Sequence, residues 1–108
     1  MSNTTELLCV CPASEIEDGR VHRREVAGVG TLAVYRVTGA FYVSDDLCTH
    51  GQASLSDEGT LEGHVIVCGW HGGSFDVRTG EPVDPPCIKA LRTYRVEVID
   101  GLLHIARP

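Results

Sequence analysis

Four residues in this sequence have the types and spacing to hold a metal centre. Cys48, His50, Cys68 and His71 fall in the pattern C-x-H-x17-C-x2-H and offer two thiolates and two imidazoles from two segments. Thiolates bind zinc and iron–sulfur clusters, and imidazole suits either metal. Paired ligands in zinc sites are typically two to four residues apart. Cys48 and His50 have one residue between them, an awkward spacing for gripping one tetrahedral ion and a natural one for binding two neighbouring irons. Three more cysteines, Cys9, Cys11 and Cys87, complete an odd total of five, poor material for a disulfide framework. Cys9 and Cys11 are two apart on a candidate strand, so both side chains are expected on one face as buried small hydrophobes. Cys87 reads as a free thiol. His22, His64 and His104 lie outside the pattern, with His64 expected exposed on the strand that leads into Cys68. Asp76 and Glu81 read as turn-capping groups, not as an acid–base pair. There is no phosphate-binding glycine loop and no nucleophile motif.

The elements that must position these ligands read as all-β. Val21–Val26, Thr31–Val37 and Ala40–Ser44 are short runs rich in β-branched and aromatic residues, separated by Gly28-Val29-Gly30 and Thr38-Gly39. Leu61–Val67 reads as a further strand. Tyr94, Val96 and Val98 alternate with Arg95 and Glu97, then Asp100-Gly101 marks a hairpin that returns through Leu102–Ala106. Ser14–Asp18 is expected to form one helical turn. Asp45–Gly59 and Cys68–Cys87 are long loops, rich in Gly, Asp, Ser and Pro, and loops of that length in a small chain are usually functional. The expected architecture is one domain over 1–108: an antiparallel β-sandwich scaffold with a small metal-binding subdomain, built from two loops, at about 45–86. A chain of 108 residues, 43% apolar and 22% charged, can build one core. Its net charge of −6 argues against nucleic-acid and anionic-membrane partners. No apolar run reaches a membrane span, and the first residues lack the pattern of a signal peptide, so a cytoplasmic location is expected.

The ligand pattern, together with His71-Gly72-Gly73-Ser74-Phe75-Asp76, Thr79-Gly80 and Pro85-Pro86, resembles the Rieske family over most of the chain. In Rieske centres two histidines replace two cysteines on one iron of a [2Fe–2S] cluster. The resemblance implies a Rieske fold, one [2Fe–2S] cluster per chain, Cys48 and Cys68 on one iron, and His50 and His71 on the other at the tip. Two ferric ions, two sulfides and two thiolates sum to zero, so adding an electron is easier than in an all-cysteine dianion. Every coordination position would be filled, so such a centre carries single electrons and leaves no place for substrate. A potential that falls with pH, as the oxidised-state histidines deprotonate, is the expected mark of histidine ligation.

Departures from the high-potential members narrow the expectation. Those members join an extra cysteine in each loop as a disulfide, where this chain has Ala53 and Trp70. They also place cluster-facing hydroxyls where this chain has Gly73 and Phe75. Losing those hydrogen bonds implies a potential near the low end of the roughly −150 to +300 mV Rieske range. The resemblance thus implies a non-enzymatic electron carrier, the ferredoxin component of a multicomponent oxygenase that hydroxylates aromatic rings. Its partners would be a flavin-dependent ferredoxin reductase and a terminal oxygenase. The alternatives are a Rieske-type small subunit of another redox enzyme, such as an assimilatory nitrite reductase, and a zinc-stapled interaction module. Trp70 is expected to pack over the site. No Lys or Arg lies between Arg36 and Arg78, whereas Asp45, Asp46, Asp57, Glu58, Glu62 and Asp76 do, so an acidic docking face is a further expectation.

Overall fold

The structure is a computed structural model and describes residues 6–49, 53–69, 73–84 and 89–107. Eleven strands among the described residues form three antiparallel sheets. The first sheet orders β1 (Leu7–Pro12), β11 (Leu102–Ala106) and β10 (Val96–Ile99). The second orders β2 (Val21–Val26), β3 (Gly30–Val37), β4 (Ala40–Asp45) and β9 (Thr93–Tyr94). The third runs in chain order through β5 (Thr60–Glu62), β6 (Val65–Val67), β7 (Ser74–Asp76) and β8 (Pro82–Asp84). A single helical turn, α1 (Leu55–Glu58), precedes β5.

Strand β3 explains how these layers stack. Side chains alternate across a strand, and Leu32-Ala33-Val34-Tyr35 is apolar at every position and fully buried. Leu32 and Val34 pack into a core with Ile16, Leu103 and Ile105, closing the sandwich of the first two sheets. Ala33 and Tyr35 face the other way, into a second core with Leu55, Ile66 and Phe75. A strand covered on both faces reads as a continuous apolar run. Full burial of such side chains contributes roughly 1.5–3 kcal/mol each. The β3–β4 and β10–β11 hairpins turn on Thr38-Gly39 and Asp100-Gly101, whose four residues all have positive φ, as a type I′ turn requires.

Three expectations are corrected by the fold. Leu61–Val67 is not one strand: Glu62 pairs with Val65 across a tight turn at Gly63-His64, and Gly63 has φ +60°. The apolar residues on either side masked the glycine as a breaker. His64 therefore sits in a turn, half-buried, with its ring edge-on to Tyr42 at 5.7 Å. Cys9 and Cys11 do not share a face. Cys9 pairs with His104 and Cys11 with Leu103, so Val10 is an extra residue that breaks the alternation, leaving Cys9 exposed and Cys11 buried. The expected turn at Ser14–Asp18 is a 3-10 turn over Ala13–Glu15. The two long loops also hold short elements of their own, α1 in the first and β7 and β8 in the second.

Strand β4 is fastened by two phenols. The Tyr94 hydroxyl donates to Asp45 Oδ1 at 2.5 Å. Tyr35 meets Ser44 Oγ at 2.8 Å, and Ser44 in turn donates to the Asp45 carbonyl. Burial, followed by the hydrogen bond to Asp45, pushes the Tyr94 phenol up to about 12, and burial raises Tyr35 as well. A raised phenol favours folding below its unfolded value, about 10, and that contribution is lost as pH climbs from there through 12. Tyr94→Phe should cost about 1 kcal/mol near neutrality, and its urea midpoint should fall less steeply than wild type between pH 10 and 12.

Candidate metal centre

The two segments that carry the candidate ligands are closed in the same way at their feet. The Cys48 N–H donates to the Ala53 carbonyl at 2.9 Å, and the Cys68 N–H donates to the Gly73 carbonyl at 2.7 Å. Each cysteine thus stands at the foot of a loop that returns five residues later. In the first loop, Leu47 bridges to Ser54 and the Leu55 N–H donates to the Asp46 carbonyl at 2.7 Å. Ser54 is the N-cap of α1 and accepts from the Asp57 N–H. The second loop leaves β6 and re-enters at β7, where Val67 pairs with Ser74.

The two cysteines share one floor. Cys48 and Cys68 are each 1% exposed and pack in the same core as Ala53, Leu55, Ile66, Phe75 and Val77. Soft donors in an apolar, water-poor setting fit an iron–sulfur centre. His50, Trp70 and His71 lie outside the described residues, as do Pro85, Pro86 and Cys87. Among the described residues no three His, Cys, Asp or Glu side chains converge on another metal position, so Cys9 and Cys11 have no further ligands there.

A third segment is strapped to both loops. Thr49, between Cys48 and His50, donates its hydroxyl to the Lys89 carbonyl at 2.8 Å. The Leu91 N–H donates to the Gly80 carbonyl and the Asp45 N–H to the Arg92 carbonyl. Two glycines permit this crowding. A Cβ on Gly69 would overlap the carbonyl oxygen of Glu58, and one on Gly80 would overlap that of Leu91. The Thr49 strap has no sequence signature. The first loop's cap did have one, Ser54-x-x-Asp57.

The acidic stretch is less free than its composition implies. Asp45 serves Tyr94. Asp46, 4% exposed, accepts from the Ser54 hydroxyl and the Ser56 N–H. The Arg78 guanidinium beside Asp76, donating from Nε and Nη2, holds that carboxyl below the usual carboxylate range. Asp76 Oδ1 also accepts from the Arg78 N–H, the capping use expected of Asp76, and its carbonyl takes the Thr79 and Gly80 N–H groups, whereas Glu81 enters the turn through its N–H, which donates to Thr79 Oγ1. Asp57 lies 3.8 Å from Arg23. Glu58 and Glu62 alone of the six acids have no hydrogen bond from a side chain and no ion pair among the described residues. The remaining histidines take local roles: His22 Nε2 accepts from the Glu17 N–H, and His104 Nδ1 lies 3.0 Å from the Leu102 carbonyl.

A family model for the Rieske [2Fe-2S] domain matches residues 6–95. The chain belongs to the Rieske [2Fe-2S] domain family. Like other Rieske ferredoxins it is an electron carrier with a [2Fe–2S] cluster, not itself an enzyme. It is 50% identical over 99 residues to ferredoxin CarAc of Metapseudomonas resinovorans, covering 92% of each chain. It is 39% identical over 101 residues to the ferredoxin component of the p-cumate 2,3-dioxygenase system of Pseudomonas putida, covering 94% of this chain and 86% of that one. The Rieske fold extends to a chain in the solved complex of reduced oxygenase and oxidised ferredoxin in carbazole 1,9a-dioxygenase. There the TM-score is 0.85 at 48% identity, over 95% of this chain and 94% of that one.

Gly69→Ala should separate the two cluster loops, because the new methyl meets backbone and not a flexible side chain. Overpacking of this kind costs about 1–3 kcal/mol, and the iron bound per chain should fall to less than half of wild type, by colorimetric iron assay.

Proposed function

We propose that Cys48 and Cys68 bind one iron of the [2Fe–2S] cluster and His50 and His71 the other. On this reading 1–108 is one Rieske domain whose cluster-binding part spans about 45–86. It passes single electrons, in the cytoplasm, from a flavin-dependent ferredoxin reductase to the terminal oxygenase of an aromatic-ring dioxygenase system. The observation that carries the ligand reading is the pair of buried cysteines at the feet of two identically closed loops. When bound, the cluster supplies reversible one-electron chemistry at modest potential. The chain's own residues exclude water from the cysteine side and fix the loop feet through backbone hydrogen bonds. They present no hydroxyl at Gly73 or Phe75. The similarity to ferredoxin components of p-cumate and carbazole systems supports the choice of an oxygenase as electron acceptor. A zinc-stapled module is disfavoured by the same family membership.

Cys48→Ser and Cys68→Ser should each abolish the visible absorption and the paramagnetic signal of the reduced protein, while Cys9→Ser and Cys11→Ser retain both. Retention of a full signal in Cys48→Ser would overturn the ligand assignment. Reconstitution with a flavin-containing reductase and an aromatic-ring oxygenase should give product only when this chain is present. Failure with every such pair, with transfer to a nitrite reductase instead, would favour the subunit alternative.

Docking by charge is tested separately. Reversing Asp57 and Glu58 to Lys should slow reduction of the oxygenase several-fold at low salt. The difference should vanish near 0.5 M salt, where surface charges are screened beyond roughly 4–5 Å.

A further inference from the structure

The geometry points to Asp46 as a residue that sets the cluster's reduction potential: its buried carboxylate is a fixed negative charge beside the first ligand loop and holds the potential down. The inference rests on Cys48 being a ligand, as proposed above.

Asp46 is the one acidic residue among those described that is buried. It is bound by neutral donors. The Ser54 hydroxyl donates to Oδ2 at 2.5 Å and the Ser56 N–H to Oδ1 at 2.8 Å. None of the ion pairs among the described residues involves Asp46. Arg23 lines the same surface cavity, but its ion pair is with Asp57. Both donors are neutral, so neither cancels the charge of the carboxylate.

Position does the rest. Two residues of chain span at most about 7 Å, so the Asp46 and Cys48 backbones are close neighbours. The Asp46 main chain is pinned on both sides, its N–H donating to Thr31 and its carbonyl accepting from Leu55. The charge is therefore held at a constant place relative to the loop foot. Burial is the main cause that raises the Tyr35 phenol in the core holding both cysteines, and the Asp46 charge adds to it. A negative charge in a poorly screened interior opposes the arrival of an electron nearby. An exposed acid such as Glu58 does so far less, because water and salt screen it.

Asp46→Asn preserves size and can still accept from the Ser56 N–H, so it removes charge with little change of shape. Ser54→Ala removes one donor and leaves the charge less neutralised. Protein-film voltammetry on the iron-loaded proteins should show the potential rising in Asp46→Asn and falling in Ser54→Ala. The Asp46→Asn shift should persist at 1 M salt, and Glu58→Gln should show none there. The electron paramagnetic resonance spectrum of reduced Asp46→Asn should match wild type, which confirms an intact ligand set. An unchanged or lowered potential in Asp46→Asn with that spectrum would overturn the inference while leaving the ligand assignment standing. A rise in both variants would overturn it too, by showing that loop distortion and not charge is being read. Should Asp46→Asn fail to hold iron, Ser54→Ala decides: a fall supports the inference, and a rise or no change overturns it. Loss of the ligand reading itself would show separately, as a Cys48→Ser protein that keeps its cluster.

Discussion

On the proposed ligand set, two sulfur donors far apart in the chain must arrive at one place and stay there through changes of charge. The common apolar floor beneath Cys48 and Cys68 is the constraint on which the rest depends. Its residues come from Ala33 and Tyr35 on β3, Leu55 in α1, Ile66 on β6, Phe75 on β7, and Val77 and Leu91 in the connections. No single segment could build it. Because interiors are close-packed, a floor drawn from so many elements resists local movement. A rigid surrounding also limits the rearrangement that accompanies a charge change.

The sandwich below this floor is present for the same reason. Strand β3 buries both faces, so the scaffold core and the site core are two sides of one strand. The site is thereby tied to the most buried part of the molecule. The backbone bonds from Cys48 to Ala53 and from Cys68 to Gly73 pass that stability to the loop feet. Thr49 and the two crowded glycines, Gly69 and Gly80, then draw the loops and the returning segment together.

Electrostatics around the site are set as much by what is missing as by what is present. Phe75 is buried in the floor, and Ala53 and Gly73 offer no side-chain donor. Asp46 is turned inward into the cap of α1, while Asp45 and Asp76 are occupied by Tyr94 and Arg78. The acidic stretch is therefore partly structural, and among the described residues only Glu58 and Glu62 of its six acids have neither a hydrogen bond from a side chain nor an ion pair.

Much of this was legible in the residues. The Cys and His pattern pointed to the [2Fe–2S] chemistry that family membership bears out, because thiolate and imidazole at that spacing admit few metal centres, and the apolar alternation and turn glycines disclosed most of the scaffold strands. What stayed hidden depended on neighbours distant in sequence. The extra residue at Val10 separates Cys9 from Cys11 only because β11 pairs on either side of it. The break at Gly63-His64 is decided by pairing within a sheet whose strands are too short to carry a periodic signal. An acidic side chain looks the same in sequence whether water or a serine hydroxyl receives it. Types and spacing of side chains are local properties, and chemistry and strand content follow from them. Burial, pairing and the direction of each charge are set by the packed whole, so only the tertiary structure could assign Asp46, Thr49 and Gly69 their places.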